Sequence, residues 1–254
     1  MNPGLSTYLN AIRFLAALAV VLSHFTQQTI TGAIVSYQGE LAGVAVTVFF
    51  VLSGYVIAFV SDQKERSIRS FAVSRFARIY SVALPALLLT AAIDFYLYWF
   101  NAHVDIPHYE ISGWWKYLPV FLTFTSEIGP IHVPVLSDRP FWSLSYEVWY
   151  YVAFAAVAYS RGWARVVLGV LAVAILGLPA LLYLPIWIMG CAIYYLHKRP
   201  FVLPTTAATT IAFLSALLLV LLWAVGFYDS LDRDVNEALG GWPEAHLHNS
   251  ASTA

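Results

Sequence analysis

From residue 9 to residue 26 the chain is apolar except for a few positions, among them Asn10, Arg13, Ser23 and His24. A helix advances about 1.5 Å per residue, so roughly 20 apolar residues are what a hydrocarbon core of about 30 Å requires. The run has neither the charged leader nor the small-residue cleavage site of a secretory signal, and it reads as a retained membrane helix. A second apolar run, residues 41–61, stops at Asp62-Gln63-Lys64-Glu65-Arg66, and Arg69, Arg75 and Arg78 precede a third, residues 79–100. A fourth covers residues 141–159. Residues 166–197 form one apolar block containing Pro179 and Pro185, with Arg165 before it and Lys198-Arg199 after it. If both basic ends face the cytoplasm, that block must be a hairpin of two short helices. A last run covers residues 205–227. Residues 101–140 turn polar around a short aromatic patch, 114–124, which cannot span and reads as interfacial or re-entrant.

This pattern predicts an all-α fold, a polytopic transmembrane helix bundle of about seven spans plus an interfacial segment. Residues 1–227 form its membrane-embedded domain and residues 228–254 a polar tail, expected to be disordered. With the N-terminus inside, Lys64, Arg66, Arg69, Arg75, Arg78, Arg161, Arg165, Lys198 and Arg199 fall in cytoplasmic segments, and Lys116, Arg139 and Arg233 outside. That is the bias the positive-inside rule favours. No internal repeat or heptad seam is present, which excludes solenoids and coiled coils.

Composition supports the same class. Of 254 residues, 60% are hydrophobic and 11% charged, against roughly 25% charged in soluble domains. A net charge of -1 supplies no field to hold nucleic acid. The single cysteine, Cys191, can form no intramolecular bridge. The histidine pairs His103/His108 and His246/His248 lack enough spaced ligands for a metal site, so no metal is expected.

Against this background the charges inside the spans stand out. Ionisable groups in membrane helices are costly and usually face a cavity or a partner; here they are Arg13, His24, Asp94 and Glu147. Arg13 and His24 are eleven residues apart, which at about 100° per residue is three turns plus about 20°, so they share a helix face at a separation of about 16 Å. Such a face suits the two ends of a long anionic ligand. The plainer readings are a snorkelling cation and an interfacial histidine. Glu147 falls at the depth expected for His24, where a carboxylate would orient an imidazole or else partner a buried cation. Asp94 has no surrounding motif and reads as structural or cavity-lining. Ser53-Gly54 permits close approach of a helix or a ligand. Arg66, Arg69, Arg75 and Arg78, spaced by threes with a gap at Ala72, form a basic ridge if helical. The ridge suits phosphate, or else sets topology and binds anionic head groups.

Four segments in order, Leu9-Asn10-Ala11-Ile12-Arg13 with His24, then Phe49-Phe50-Val51-Leu52-Ser53-Gly54, then Arg75-Phe76-Ala77-Arg78-Ile79-Tyr80, then Trp142-Ser143-Leu144-Ser145-Tyr146-Glu147, resemble the acyltransferase-3 family of integral membrane acyltransferases. Two positions depart from the family pattern: Asn10 stands where Asp is common, and Phe14 where Gly is. The resemblance implies transfer of an acyl group, usually acetyl from acetyl-CoA, to a hydroxyl of a saccharide or glycosylated acceptor. It also implies a place in the bacterial cytoplasmic membrane. It assigns His24 and Glu147 to catalysis, Arg13, Arg75, Arg78, Ser53 and Gly54 to the cofactor, and Trp142, Ser143 and Ser145 to the acceptor. Two alternatives stay open. A transporter or proton-coupled carrier would use the same intramembrane charges as a relay, although the half-chain symmetry common in such proteins is missing. An inactive shortened family member would retain the motifs by descent.

Overall fold

The computed structural model describes residues 3–25, 41–100, 111–129, 131–138 and 140–199, together with Thr206 and Thr210. The chain divides into two compact units, Met1–Lys198 and Arg199–Ala254, and the helices described here belong to the first. The expected last span and the polar tail, residues 205–254, lie outside the described residues apart from the two threonines.

The elements in chain order are α1 (Pro3–Phe25), α2 (Leu41–Gln63), α3 (Ile68–Trp99), a 3-10 turn (Ile111–Tyr117), α4 (Leu118–Leu122), α5 (Phe141–Ala158) and α6 (Trp163–His197). The fold is all-helical among the described residues. Four helices, α1, α2, α3 and α6, are long and apolar enough to cross a membrane. They leave large apolar side chains uncovered, among them Phe14 and Val21 on α1, Val82 and Leu88 on α3 and Val166 and Val170 on α6. Exposure on that scale is what a lipid-facing surface requires and what water forbids.

The central helix is α2, which packs most closely on α6 and then on α1. Its apolar residues are spread around the whole circumference, as in a helix covered on all sides, and Leu52, Ser53, Gly54 and Tyr55 are buried in succession. Contact with α6 is close because both helices carry glycine where they cross. A Cβ on Gly54 would lie 2.0 Å from the Trp187 carbonyl oxygen, and one on Gly190 would lie 2.1 Å from that of Val51.

The expected short loop before a third span is instead an early helix start. Ser67 caps α3, its hydroxyl accepting from the Ser70 amide at 3.2 Å, and the helix then runs for 32 residues. At about 1.5 Å each this exceeds the hydrocarbon thickness, so the arginine-bearing turns are a rigid extension of the span.

The block after Arg165 is one helix interrupted at Gly177, whose φ of 77° and ψ of 166° are not helical. Side chains rarely adopt that φ, and the hydrogen on Gly177 faces the backbone of Gly129, where a Cβ would come within 2.9 Å. The two legs fold back on each other. Arg165 and Tyr195 line one cavity with Asp62, whereas a straight helix would hold residues 165 and 195 about 45 Å apart. Both basic ends therefore reach the same end of the bundle, as the hairpin requires.

The patch at residues 114–124 does not cross. It forms the 3-10 turn and α4, anchored by Tyr80, which donates its hydroxyl to the Leu122 carbonyl at 2.5 Å, and by Trp149, whose Nε1 donates to the Phe124 carbonyl at 3.1 Å. Non-helical backbone at depth is tolerated where protein covers it in this way.

Candidate functional site

Three helices bring distant polar side chains together inside the apolar bundle. Ser53 on α2 donates its hydroxyl to Glu147 Oε1 on α5 at 2.6 Å. Tyr151, one turn beyond Glu147, donates to the same oxygen, and its hydroxyl lies 3.0 Å from that of Ser53. Trp187 on α6 donates Nε1 to Ser53 Oγ at 3.2 Å. Among the described residues Glu147 Oε2 carries no hydrogen bond, and the residue is only half-buried. One oxygen is fixed and the other is left open as an acceptor.

Arg13 on α1 joins this cluster electrostatically: Glu147, Tyr151, Arg75 and Arg78 are all within its reach. The carboxylate of Glu147 is thus within electrostatic reach of the Arg13 guanidinium. Arg13 and His24 remain on one continuous helix, both half-buried.

The arginine motif splits. Arg78 is exposed, as a ridge residue should be, but Arg75 is buried and turned inward. Its Nη2 pairs with Glu65 Oε1 at 2.9 Å, while Nε, Nη1 and Glu65 Oε2 are buried with no hydrogen-bond partner among the described residues. Two nitrogens of a fixed guanidinium are therefore left without a partner among the described residues, and buried donors in that state favour an acceptor strongly.

The other anticipated positions make packing and hydrogen-bond contacts within the bundle. Gly54 faces the Trp187 backbone, so it serves the helix crossing and leaves no room there for a ligand. Ser145 is fully buried, its hydroxyl 2.8 Å from that of Ser126, which joins the segment after α4 to α5. Ser143 donates to the Pro140 carbonyl at 2.9 Å in the first turn of α5. Trp142 stacks edgewise on Tyr146, ring centroids 5.4 Å apart, and lies against Tyr183. Asp94 is structural: it accepts from the Ser137 amide at 2.8 Å and hydroxyl at 2.6 Å, holding the segment before α5 against α3.

Sequence reading missed several partners. Tyr151, four residues past Glu147, had a legible signal in its i,i+4 spacing; Trp187, 134 residues from Ser53, had none. Also missed was the pair between His132 Nδ1 and Glu127 Oε2 at 2.8 Å. That hydrogen bond holds the His132 imidazole above its usual pKa, against a smaller opposing effect of burial. Burial, followed by the nearby Asp94 carboxylate, pushes the Asp138 carboxyl upward.

Comparison with known proteins completes the description of the site. The family model described as an acyltransferase domain matches residues 6–250. Acyltransferase MdmB of Streptomyces mycarofaciens is 32% identical over 151 residues, which are 58% of this chain and 37% of MdmB. The match thus covers well under half of that relative's length. No solved structure is detectably similar. The four motifs lie in order on α1, α2, α3 and α5, and the family match extends over nearly the whole chain: the chain belongs to the acyltransferase-3 family.

Proposed function

We propose that the protein is a membrane acyltransferase that moves an acyl group, acetyl from acetyl-CoA, to a hydroxyl of a saccharide or glycosylated acceptor. The observation that carries the reading is the convergence of Arg13, Ser53 and Glu147 inside an apolar bundle, in a chain of this family. A thioester donor is a long, thin anion. Arg78 and the open donors of Arg75 lie at the basic end of the bundle, where its phosphates are held, and Arg13 offers the next positive charge along the path.

His24 acts as general base at the far end of α1. An imidazole has an unperturbed pKa of roughly 6.5, which suits removal of a hydroxyl proton near neutrality. The acceptor oxygen attacks the thioester carbonyl, the carbon–sulfur bond breaks, and the proton held by His24 passes to the departing thiolate. Glu147 balances Arg13 and keeps the Ser53 and Tyr151 hydroxyls aligned, so its role is positioning. Trp142 presents an aromatic face to a sugar ring near the outer start of α5.

Replacing His24 by Ala tests the reading. Acyl transfer from acetyl-CoA to cell-surface glycans, followed by mass spectrometry, is expected to fall by about 10²-fold or more while the protein stays membrane-inserted at normal abundance. Full transfer by an inserted His24→Ala protein overturns the assignment. A transporter would neither hydrolyse nor exchange acetyl-CoA in the absence of a gradient, which separates the two classes.

A further inference from the structure

A cavity of about 620 Å³ opens at the basic end of the bundle, among the ends of α2 and α5 and both ends of the folded-back α6. It is lined by Asp62, Arg66, Phe154, Tyr159, Arg165 and Tyr195, among others. None of these belongs to the motifs that mark the family, and the cluster around Ser53 does not use them. We infer that this cavity seats the nucleotide end of the acyl donor, an adenine ring whose ribose carries phosphate. The inference rests on the acyltransferase reading and adds to it the location of the donor's head.

Charge, aromatic lining and volume support the assignment. Asp62 is already engaged: Lys198 Nζ donates to its two oxygens at 2.9 and 2.7 Å, and Tyr194 donates at 2.5 Å. Arg66 and Arg165 pair with no carboxylate among the described residues, so the rim keeps two positive charges. Arg165 is oriented by a 3.2 Å bond from Nε to the Ser160 carbonyl, which leaves the outer edge of its guanidinium to an anion. Phosphate alone would be satisfied by such cations, and a lipid head group supplies the same chemistry. Tyr159, Tyr195 and Phe154 make the lining aromatic as well as basic, a combination that suits a nucleobase and that a glycerol phosphate does not need. The volume lies within the range of roughly 300–1,000 Å³ typical of small-molecule sites.

One wall of the cavity packs against the polar cluster. Phe154 in its wall meets Trp187 edgewise, centroids 5.9 Å apart, and Trp187 donates to Ser53. On the other side Tyr159 donates its hydroxyl to the Glu65 carbonyl, and Glu65 holds Arg75. A head seated in the cavity is thus one packed side chain away from Trp187 on one side and from the Glu65–Arg75 pair on the other.

Calorimetry on the full chain in detergent, titrated separately with CoA and with adenosine 3′,5′-bisphosphate, tests the assignment. Both are expected to bind and to compete. The Arg66→Gln/Arg165→Gln variant is expected to weaken both about a hundredfold, while Arg161→Gln, a neighbouring exposed position outside the cavity lining, leaves both unchanged. Ala158→Trp, which fills the cavity without removing charge, should weaken both as well and covers the case in which the double variant unfolds. Short-chain phosphatidylglycerol should displace neither ligand. Nucleotide affinity that survives the double variant and Ala158→Trp overturns the assignment, as does displacement by the lipid without nucleotide binding. If acetyl-CoA is turned over in either of those cases, the acyltransferase reading stands and only the cavity assignment falls. A wild-type protein that neither binds CoA nor transfers acyl groups removes both.

Discussion

Glu147 and Glu65 are both carboxylates drawn into helix packing, yet their surroundings differ. Glu147 is held by the neutral hydroxyls of Ser53 and Tyr151 on one oxygen, with no bond to the other among the described residues and Arg13 within electrostatic reach. Glu65 is more deeply buried and is committed to a direct ion pair with Arg75, in which one carboxylate oxygen and two guanidinium nitrogens have no partner among the described residues. A buried ion pair is weak evidence for stability, because desolvation offsets much of the attraction. What the Glu65 pair accomplishes is orientation: Arg75 cannot swing to solvent as Arg78 does. The Glu147 cluster keeps a negative charge available in the bundle, and the Glu65 cluster keeps positive donors available at its edge.

The sharpest way to break this contrast is at Glu65. Glu65→Ala leaves the Arg75 guanidinium buried and uncompensated, and a loss of about 3–5 kcal/mol is expected, read as lowered thermal stability in detergent. The Glu65→Ala/Arg75→Met double variant should recover most of it. No recovery would show that the pair is not the source of the loss.

At Glu147 the larger effect should fall on activity. Glu147→Ala is expected to reduce acyl transfer by about a hundredfold, whereas Glu147→Gln retains an oxygen that can accept from Ser53 and Tyr151 and so keeps near-normal stability. Equal stability losses in the two variants would place the residue in the scaffold alone.

The crossing that unites the two regions can be pried open with Gly190→Ala. Its new methyl meets the Val51 carbonyl oxygen at 2.1 Å, and the forced separation of α2 and α6 is expected to cost about 1–3 kcal/mol. Activity should fall along with the melting temperature, because the same shift moves Trp187 away from Ser53.

The smallest effect lies at the His132–Glu127 pair. The folded-state pKa of His132 is raised above its ordinary value of 6.5, chiefly by the hydrogen bond to Glu127. Its stabilising contribution is therefore complete below that ordinary value and is lost as pH rises through the folded-state pKa. The melting-temperature difference between wild type and His132→Gln should be largest near about pH 5.5 and shrink at alkaline pH. A difference that grows with pH would contradict the assignment.

Much of the fold was legible before any coordinates. Helix positions follow from the lengths of apolar runs, and the hairpin after Arg165 follows from basic residues at both its ends, since a bilayer imposes both rules locally. The extent of α3 was not legible, because a Ser67 cap and a ridge of arginines look the same in a loop as in a helix that projects past the membrane. The site was half legible. Arg13, Ser53 and Glu147 stood out as polar groups in apolar runs. The burial of Arg75 and the use of Ser145 in packing were not apparent, and Gly54 left helix and ligand both open, because each depends on what another helix brings opposite.

The order of residues alone determined the chemical class of this chain: a membrane bundle of a known family, with a small set of charges that the bilayer would otherwise expel. Only the tertiary structure decided which of those charges meet. Periodicity specifies the face and depth of a residue on its own helix, but the Gly54–Gly190 crossing and the reversal at Gly177 set the register between helices. That register assigns Glu147 to Ser53 and Arg13, assigns Arg75 to Glu65, and opens a cavity between segments distant in the chain.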